Sequence, residues 1–248
     1  MPAQIVDTPD HLNSLLTRLD HGSSEKQLLF LALESIDPSR HASIAIMQML
    51  LPPSPVVYLI DIHVLGRDIF TVATPQGITF QSVLESQEIP KVFFDVRQAS
   101  HTLFHHYRVD LKCVVEIQLL EFYSRPHAGD FVKGITKCII EEMIHLPYMG
   151  GEDWDFYKNP GRNLVDPTRG GTTEVLFERP LSEDLIRYCE LDVIMMPGLL
   201  SLYAKRLEHA KAARVQEAVD ERVRDSQKAK FHAGTRRMAL GPKTGAQR

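Results

Sequence analysis

The rhythm of apolar positions changes along this chain. Every residue from 28 to 33 is apolar, and a short continuous run of this kind predicts a strand buried on both faces. Two more apolar runs, 43–50 and 56–62, are separated by Pro52, Pro53 and Pro55, which break the chain between them. Connections this short predict an antiparallel meander. Beyond it the pattern alternates: helix over 80–86, strand over 91–96, helix over 100–107, strand over 114–119. Such alternation predicts parallel pairing through helical crossovers. An antiparallel set feeding a parallel set makes a mixed five-stranded sheet, with three antiparallel and then two parallel strands flanked by helices.

Residues 1–26 read as a polar lead-in with a short helix over 9–19, capped by Asp7 or Thr8. Residues 131–146 read as helix. The stretch 146–178 is rich in Gly, Pro, Asp and Asn and predicts a long loop, a length at which loops are commonly functional. Ser182 is a good N-cap, and Glu183 and Asp184 suit a positive helix start. The helix they open carries a stripe of Leu185, Cys189, Val193, Met196, Leu200, Tyr203 and Leu207, with a kink expected near residues 193–196 because of Pro197. These signals divide the chain into a lead-in (1–26), a main domain (27–207) and a basic tail (208–248), helical at first and disordered at its end.

Composition narrows the class. Of 248 residues, 44% are hydrophobic and 24% charged, as in ordinary globular proteins. No apolar stretch approaches the ~20 residues of a membrane-spanning helix, and no membrane partner is expected. Cys113, Cys138 and Cys189 are odd in number and widely spaced, which excludes a disulfide framework and a zinc-ligand pattern. The expected location is intracellular, in cytoplasm or nucleus. The net charge of −4 conceals an asymmetry: residues 205–248 hold 12 Lys+Arg against 5 Asp+Glu, and the rest hold 16 against 27. A basic tail on an acidic body suits a polyanion or a protein partner.

Three places carry candidate chemistry. Ala32 and Glu34 share one strand face, and a carboxylate ending a buried strand needs a pairing partner or a metal unless it lies just beyond the strand in water. Tyr188 and Asp192 stand at i, i+4 on one helix face. The segment 91–103 joins a strand to a helix, the position where α/β folds place their sites. His101 and His105, also at i, i+4, form a weaker candidate for a metal pair.

Taken together, the segments over about 25–207 resemble the 3′–5′ exonuclease family of the DnaQ-like, DEDDy type. The likeness is strongest to exonuclease domain-containing proteins related to RNase D, in their fungal and Egalitarian-type branch. The family's Asp-x-Glu-Gly motif falls on Ala32-Leu33-Glu34-Ser35. Arg40-His-Ala-Ser-Ile44 resembles its Arg-His-Gly-Ser-Ile segment. The second motif falls on residues 91–99, where a metal-site Asp is expected at position 99. The Tyr-x-x-x-Asp motif is intact as Tyr188 and Asp192.

The resemblance implies a ribonuclease H-like α/β fold and four carboxylates holding two cations about 4 Å apart around a phosphate. It implies Glu34 and Asp192 as metal ligands for Mg²⁺ or Mn²⁺, and Tyr188 as the residue orienting water. Ala32 and Ala99 stand at the other two ligand positions, and a methyl group cannot ligate. Ser35 in place of the usual Gly, and a further departure at His101, mark drift around the lost carboxylates. Asp95 and Asp61 are the nearest carboxylates that could substitute.

The expectation is thus a nucleic-acid-binding domain for RNA or single-stranded DNA, catalytically degenerate, with Arg40, His41, Lys91 and Arg97 as contacts. The alternatives are an active exonuclease using Glu34, Asp192 and Tyr188, and a scaffold engaging proteins through residues 146–178 or the tail.

Overall fold

A computed structural model of the protein describes residues 3–20, 27–36, 43–127, 129–143, 151–231 and 236–242. Strand β1 (Gln4–Val6) leads into helix α1 (Pro9–Asp20), whose Leu12, Leu15 and Leu16 are buried at helical spacing. The predicted meander follows as β2 (Leu29–Ile36), β3 (Ser43–Leu50) and β4 (Val57–Asp61). β2 pairs antiparallel with β3, and β3 with β4. The β2–β3 register shifts between Glu34 and Ser35, a bulge that bends the strand end where the candidate carboxylate stands.

After a single turn, α2 (Ile62–Leu65), and helix α3 (Phe80–Glu85), the chain forms β5 (Lys91–Phe93), α4 (Val96–Tyr107), β6 (Val114–Glu116) and α5 (Ile117–Ser124). β5 pairs parallel with both β2 and β6. Among the described residues the sheet has six strands, in the order β1-β4-β3-β2-β5-β6. It is a mixed sheet flanked by helices, as expected, with one more strand than five. The addition is β1, which runs parallel to β4 at the edge.

Helix α6 (Ile135–Glu142) is followed by α7 (Gly151–Val165), α8 (Glu183–Ile194), α9 (Met196–Arg206) and α10 (Ala212–Ser226). Ser182 caps α8 by accepting from the Leu185 N–H at 3.3 Å. The kink expected from Pro197 is a full break: α8 ends at Ile194 and α9 starts at Met196, with the proline in its first turn.

The structure corrects three expectations. The stretch 146–178 is not one loop, since its largest part is the helix α7. The strand expected over 114–119 splits into a short strand and the start of α5. The lead-in and the first part of the tail belong to the folded body. Arg18 of α1 donates to the Tyr58 hydroxyl at 2.6 Å, and α10 packs on α4 and α5 through Val215, Ala218 and Val219. The tail's last residues, 243–248, lie outside the described residues. No helix among the described residues is long and apolar enough to cross a membrane.

Candidate functional site: a carboxylate pair under α7

Two sheet strands and two helices build the site. Ala32 and Glu34 leave β2 on one face, and the register places Gln48 of β3 directly opposite Ala32. Gln48 therefore lies on that same face. It is 0% exposed, and neither end of its amide finds a well-formed hydrogen bond among the described residues. α8 lies across β2, β3 and β4 and turns Tyr188, Cys189 and Asp192 toward them.

Helix α7 closes the site from above because of a glycine. A Cβ on Gly161 would come within 2.4 Å of both the Asp184 carbonyl oxygen and Tyr188 Cβ. Only hydrogen fits there, and α7 settles directly on α8. Trp154, fully buried in α7, donates from its indole N–H to the Leu191 carbonyl at 2.8 Å. One turn on, Lys158 is 4% exposed. Its ammonium donates to the Asp192 carboxylate and, at 3.1 Å, to the Tyr188 carbonyl. It also stands 4.1 Å from the centre of the Tyr188 ring, within cation–π range.

The electrostatics follow from this crowding. Burial, then the facing Asp192 charge, push the Glu34 carboxyl well above the usual carboxylate range, against the pull of Lys158. Two carboxyls that face each other in a buried site do not both ionise readily. The Glu34 charge and burial also raise the Tyr188 hydroxyl, and burial raises the Cys189 thiol.

The structure brings Glu34, Tyr188 and Asp192 together as expected. α4 reaches the same place: Gln98 donates to the Ser35 hydroxyl at 3.4 Å. Ala99, the next residue, is buried. The possible substitutes are committed elsewhere. Asp61 is buried and held by a two-pronged Arg179 contact. Asp95 caps α4 and takes the Arg97 guanidinium through two bonds of 2.6 Å. The His101 ring nitrogen Nδ1 is 2.8 Å from the Ser226 carbonyl, binding α4 to α10. Among the described residues no group of three or more His, Cys, Asp or Glu is arranged to hold a metal ion.

The expected phosphate contacts fare differently. Lys91 is 0% exposed, because its strand lies between β2 and β6. Its ammonium donates to the Val83 and Ser86 carbonyls, so it presents no charge to a ligand. Arg97 is also buried, spending its donors on Asp95, Gln118 and the Met238 carbonyl. Arg40 and His41 lie outside the described residues.

Sequence reasoning missed Lys158 and Gln48. A lone amide inside the apolar strand 43–50 was a usable signal for Gln48. Lys158 sat in a stretch whose Gly and Pro content concealed a helix.

No family model and no curated protein matches the sequence. The solved structures define a class: the chain has the fold of RNase D and related 3′–5′ exonucleases. RNase D of Trypanosoma brucei, solved in complex with RNA U12, aligns with a TM-score of 0.72 at 20% identity, over 97% of this chain and 76% of that one. Escherichia coli RNase D aligns with a TM-score of 0.63 at 16% identity, over 92% of this chain and 51% of the other. Brucella melitensis NrnC with bound Mg²⁺ aligns with a TM-score of 0.59 at 12% identity, over 95% and 100%.

Proposed function

We propose that this chain is a nucleic-acid-binding domain built on a 3′–5′ exonuclease fold that no longer cleaves phosphodiesters efficiently. Its ligand is RNA or a single strand. One observation carries the reading: Ala32 in the middle of β2 and Ala99 in the first turn of α4 stand where the resemblance calls for metal-binding carboxylates. Mg²⁺ requires oxygen ligands in near-octahedral geometry, and Glu34 and Asp192 alone do not fit a two-cation clamp. Arginine pairing of buried Asp61 and half-buried Asp95 leaves neither free to replace them.

The RNA bound to the T. brucei neighbour supports a nucleic-acid ligand here. So does the outer side of α7, where Phe156 is 72% and Tyr157 48% exposed. Their rings meet edge-on at 5.4 Å, and the Arg187 guanidinium lies 5.9 Å from the Tyr157 ring centre. Exposed aromatic rings beside an arginine suit stacked bases and a phosphate backbone. The basic residues of the tail add long-range attraction.

The competing reading is an active exonuclease that uses Glu34, Asp192 and Tyr188 with Mg²⁺ or Mn²⁺. It is favoured by the intact Tyr188–Asp192 pair. The test uses single-stranded RNA and DNA labelled at either end, in Mn²⁺, with Glu34→Ala and Asp192→Ala beside the natural protein. Retention in a gel shift without shortening is the expected result. Stepwise 3′ shortening abolished by both variants would establish the active enzyme. Absence of both binding and cleavage would turn attention to protein partners.

A further inference from the structure

We propose that Lys158 is the built-in cation of this site: its ammonium holds the carboxylate a divalent ion would need, and so keeps that ion out. The inference rests on the binding-domain reading and extends it by naming what occupies the metal's place.

Position supports it first. The ammonium is fixed from every side the structure describes: Asp192 and the Tyr188 carbonyl accept its protons, the Tyr188 ring lies 4.1 Å away and the Trp154 ring 5.4 Å away. A flexible surface lysine would lose this geometry to solvent. Here the stem is buried, and Gly161 pins its helix against α8.

Charge supports it next. Asp192 is matched by Lys158, and the floor beside them presents Ala32, the Glu34 carboxyl and the Gln48 amide, with no second ion pair among its described residues. Arg162 adds a further positive group one turn along α7, paired to Asp155 at 2.7 Å. A divalent ion entering here would have to detach the ammonium from Asp192. It would then leave that ammonium buried without its anion, a state that is strongly unfavourable. Like-charge repulsion at close range would add to the cost. A lysine ammonium is also a compact point charge, and it already takes one oxygen of the carboxylate, leaving only Oδ2 without a hydrogen-bond partner among the described residues.

This has a consequence beyond the two alanines. Restoring the missing ligands should not by itself restore a metal site. The experiment titrates Mn²⁺, followed by electron paramagnetic resonance of the free ion, into four proteins. They are the natural chain, Ala32→Asp/Ala99→Asp, and that double variant carrying either Lys158→Met or Lys158→Gln. Glutamine can still donate to Asp192 and the Tyr188 carbonyl without a charge, which guards against a methionine variant that fails to fold. Circular dichroism verifies each fold.

The expected result is weak Mn²⁺ binding by the natural chain and the double variant, and binding tighter by about tenfold or more once Lys158 is replaced. Equal affinity with and without Lys158, whether tight or undetectable, would overturn the proposal. A parallel gel shift of single-stranded RNA in EDTA tests the binding-domain reading separately. Its loss would remove that reading while leaving the Mn²⁺ comparison intact.

Discussion

Glu116 and Arg222 form a buried ion pair that joins the last strand of the sheet to α10. The same carboxylate accepts from the backbone N–H of Asp95 at 2.7 Å and of Gln118 at 3.0 Å. One side chain thus ties β6, the start of α4, the start of α5 and the C-terminal helix. Removing one partner of a buried pair strands the other charge and costs about 3–5 kcal/mol. Arg222→Ala should lose about that much in urea denaturation. Glu116→Gln combined with Arg222→Met should recover part of it, since no lone charge remains buried.

Lys91 supplies a pH signature. Burial lowers its ammonium to about 8, against an unfolded value of about 10.4. Between these values the unfolded chain binds more protons than the folded one, so stability contributed by this group rises with pH. Below about 8 both states carry the charge and the full burial penalty applies. The stability of the natural chain relative to Lys91→Met should therefore increase as pH is raised from 8 toward 10. A difference that stays flat or falls would show that the ammonium is not held as described.

Gly161 sets the spacing of α7 on α8. Gly161→Ala places a methyl against backbone and Tyr188 Cβ at 2.4 Å, neither of which is the end of a flexible side chain. Overpacking of this kind costs about 1–3 kcal/mol. Thermal melting should fall accordingly, and amide exchange should quicken along α7 before the sheet is affected.

Phe156 and Tyr157 separate binding from stability. Both are exposed, so Phe156→Ala and Tyr157→Ala should change stability by no more than about 0.5 kcal/mol. Loss of a stacking ring costs about 1–3 kcal/mol per base. Single-strand affinity, read by fluorescence anisotropy, should drop by that amount. An unchanged affinity would place the ligand elsewhere than on α7.

The contrast between what the sequence reveals and what it hides has local causes. The meander was legible because β2, β3 and β4 are predominantly apolar runs with prolines between two of them. A disturbance at Pro197 was legible because proline acts on its own helix, although the expected kink is a break between α8 and α9. Tyr188 and Asp192 were legible because their relation lies within one helix. β1 has only three residues, too few to display a period. Residues 114–120 are mostly apolar, interrupted only by Glu116 and Gln118, and so short a stretch reads equally as strand or helix. α7 contains Pro160 and Gly161, which are poor helix formers, and its helical state depends on burial of Trp154 and Lys158 against α8. That dependence is tertiary, so the helix and its lysine stayed hidden together.

The placement of β1 has a consequence for how copies of this chain meet. β4 is five buried residues, four of them apolar, and β1 pairs along its outer side at Tyr58, Leu59 and Ile60. Without β1, that side would present unpaired backbone groups on an apolar strand, a template for strand addition by another molecule. A chain lacking residues 1–6 should self-associate as its concentration rises, with growth of strand signal in the far ultraviolet. β1 is, in this sense, a guard rail: short enough to be a poor template itself, and placed where the sheet would otherwise recruit its neighbours.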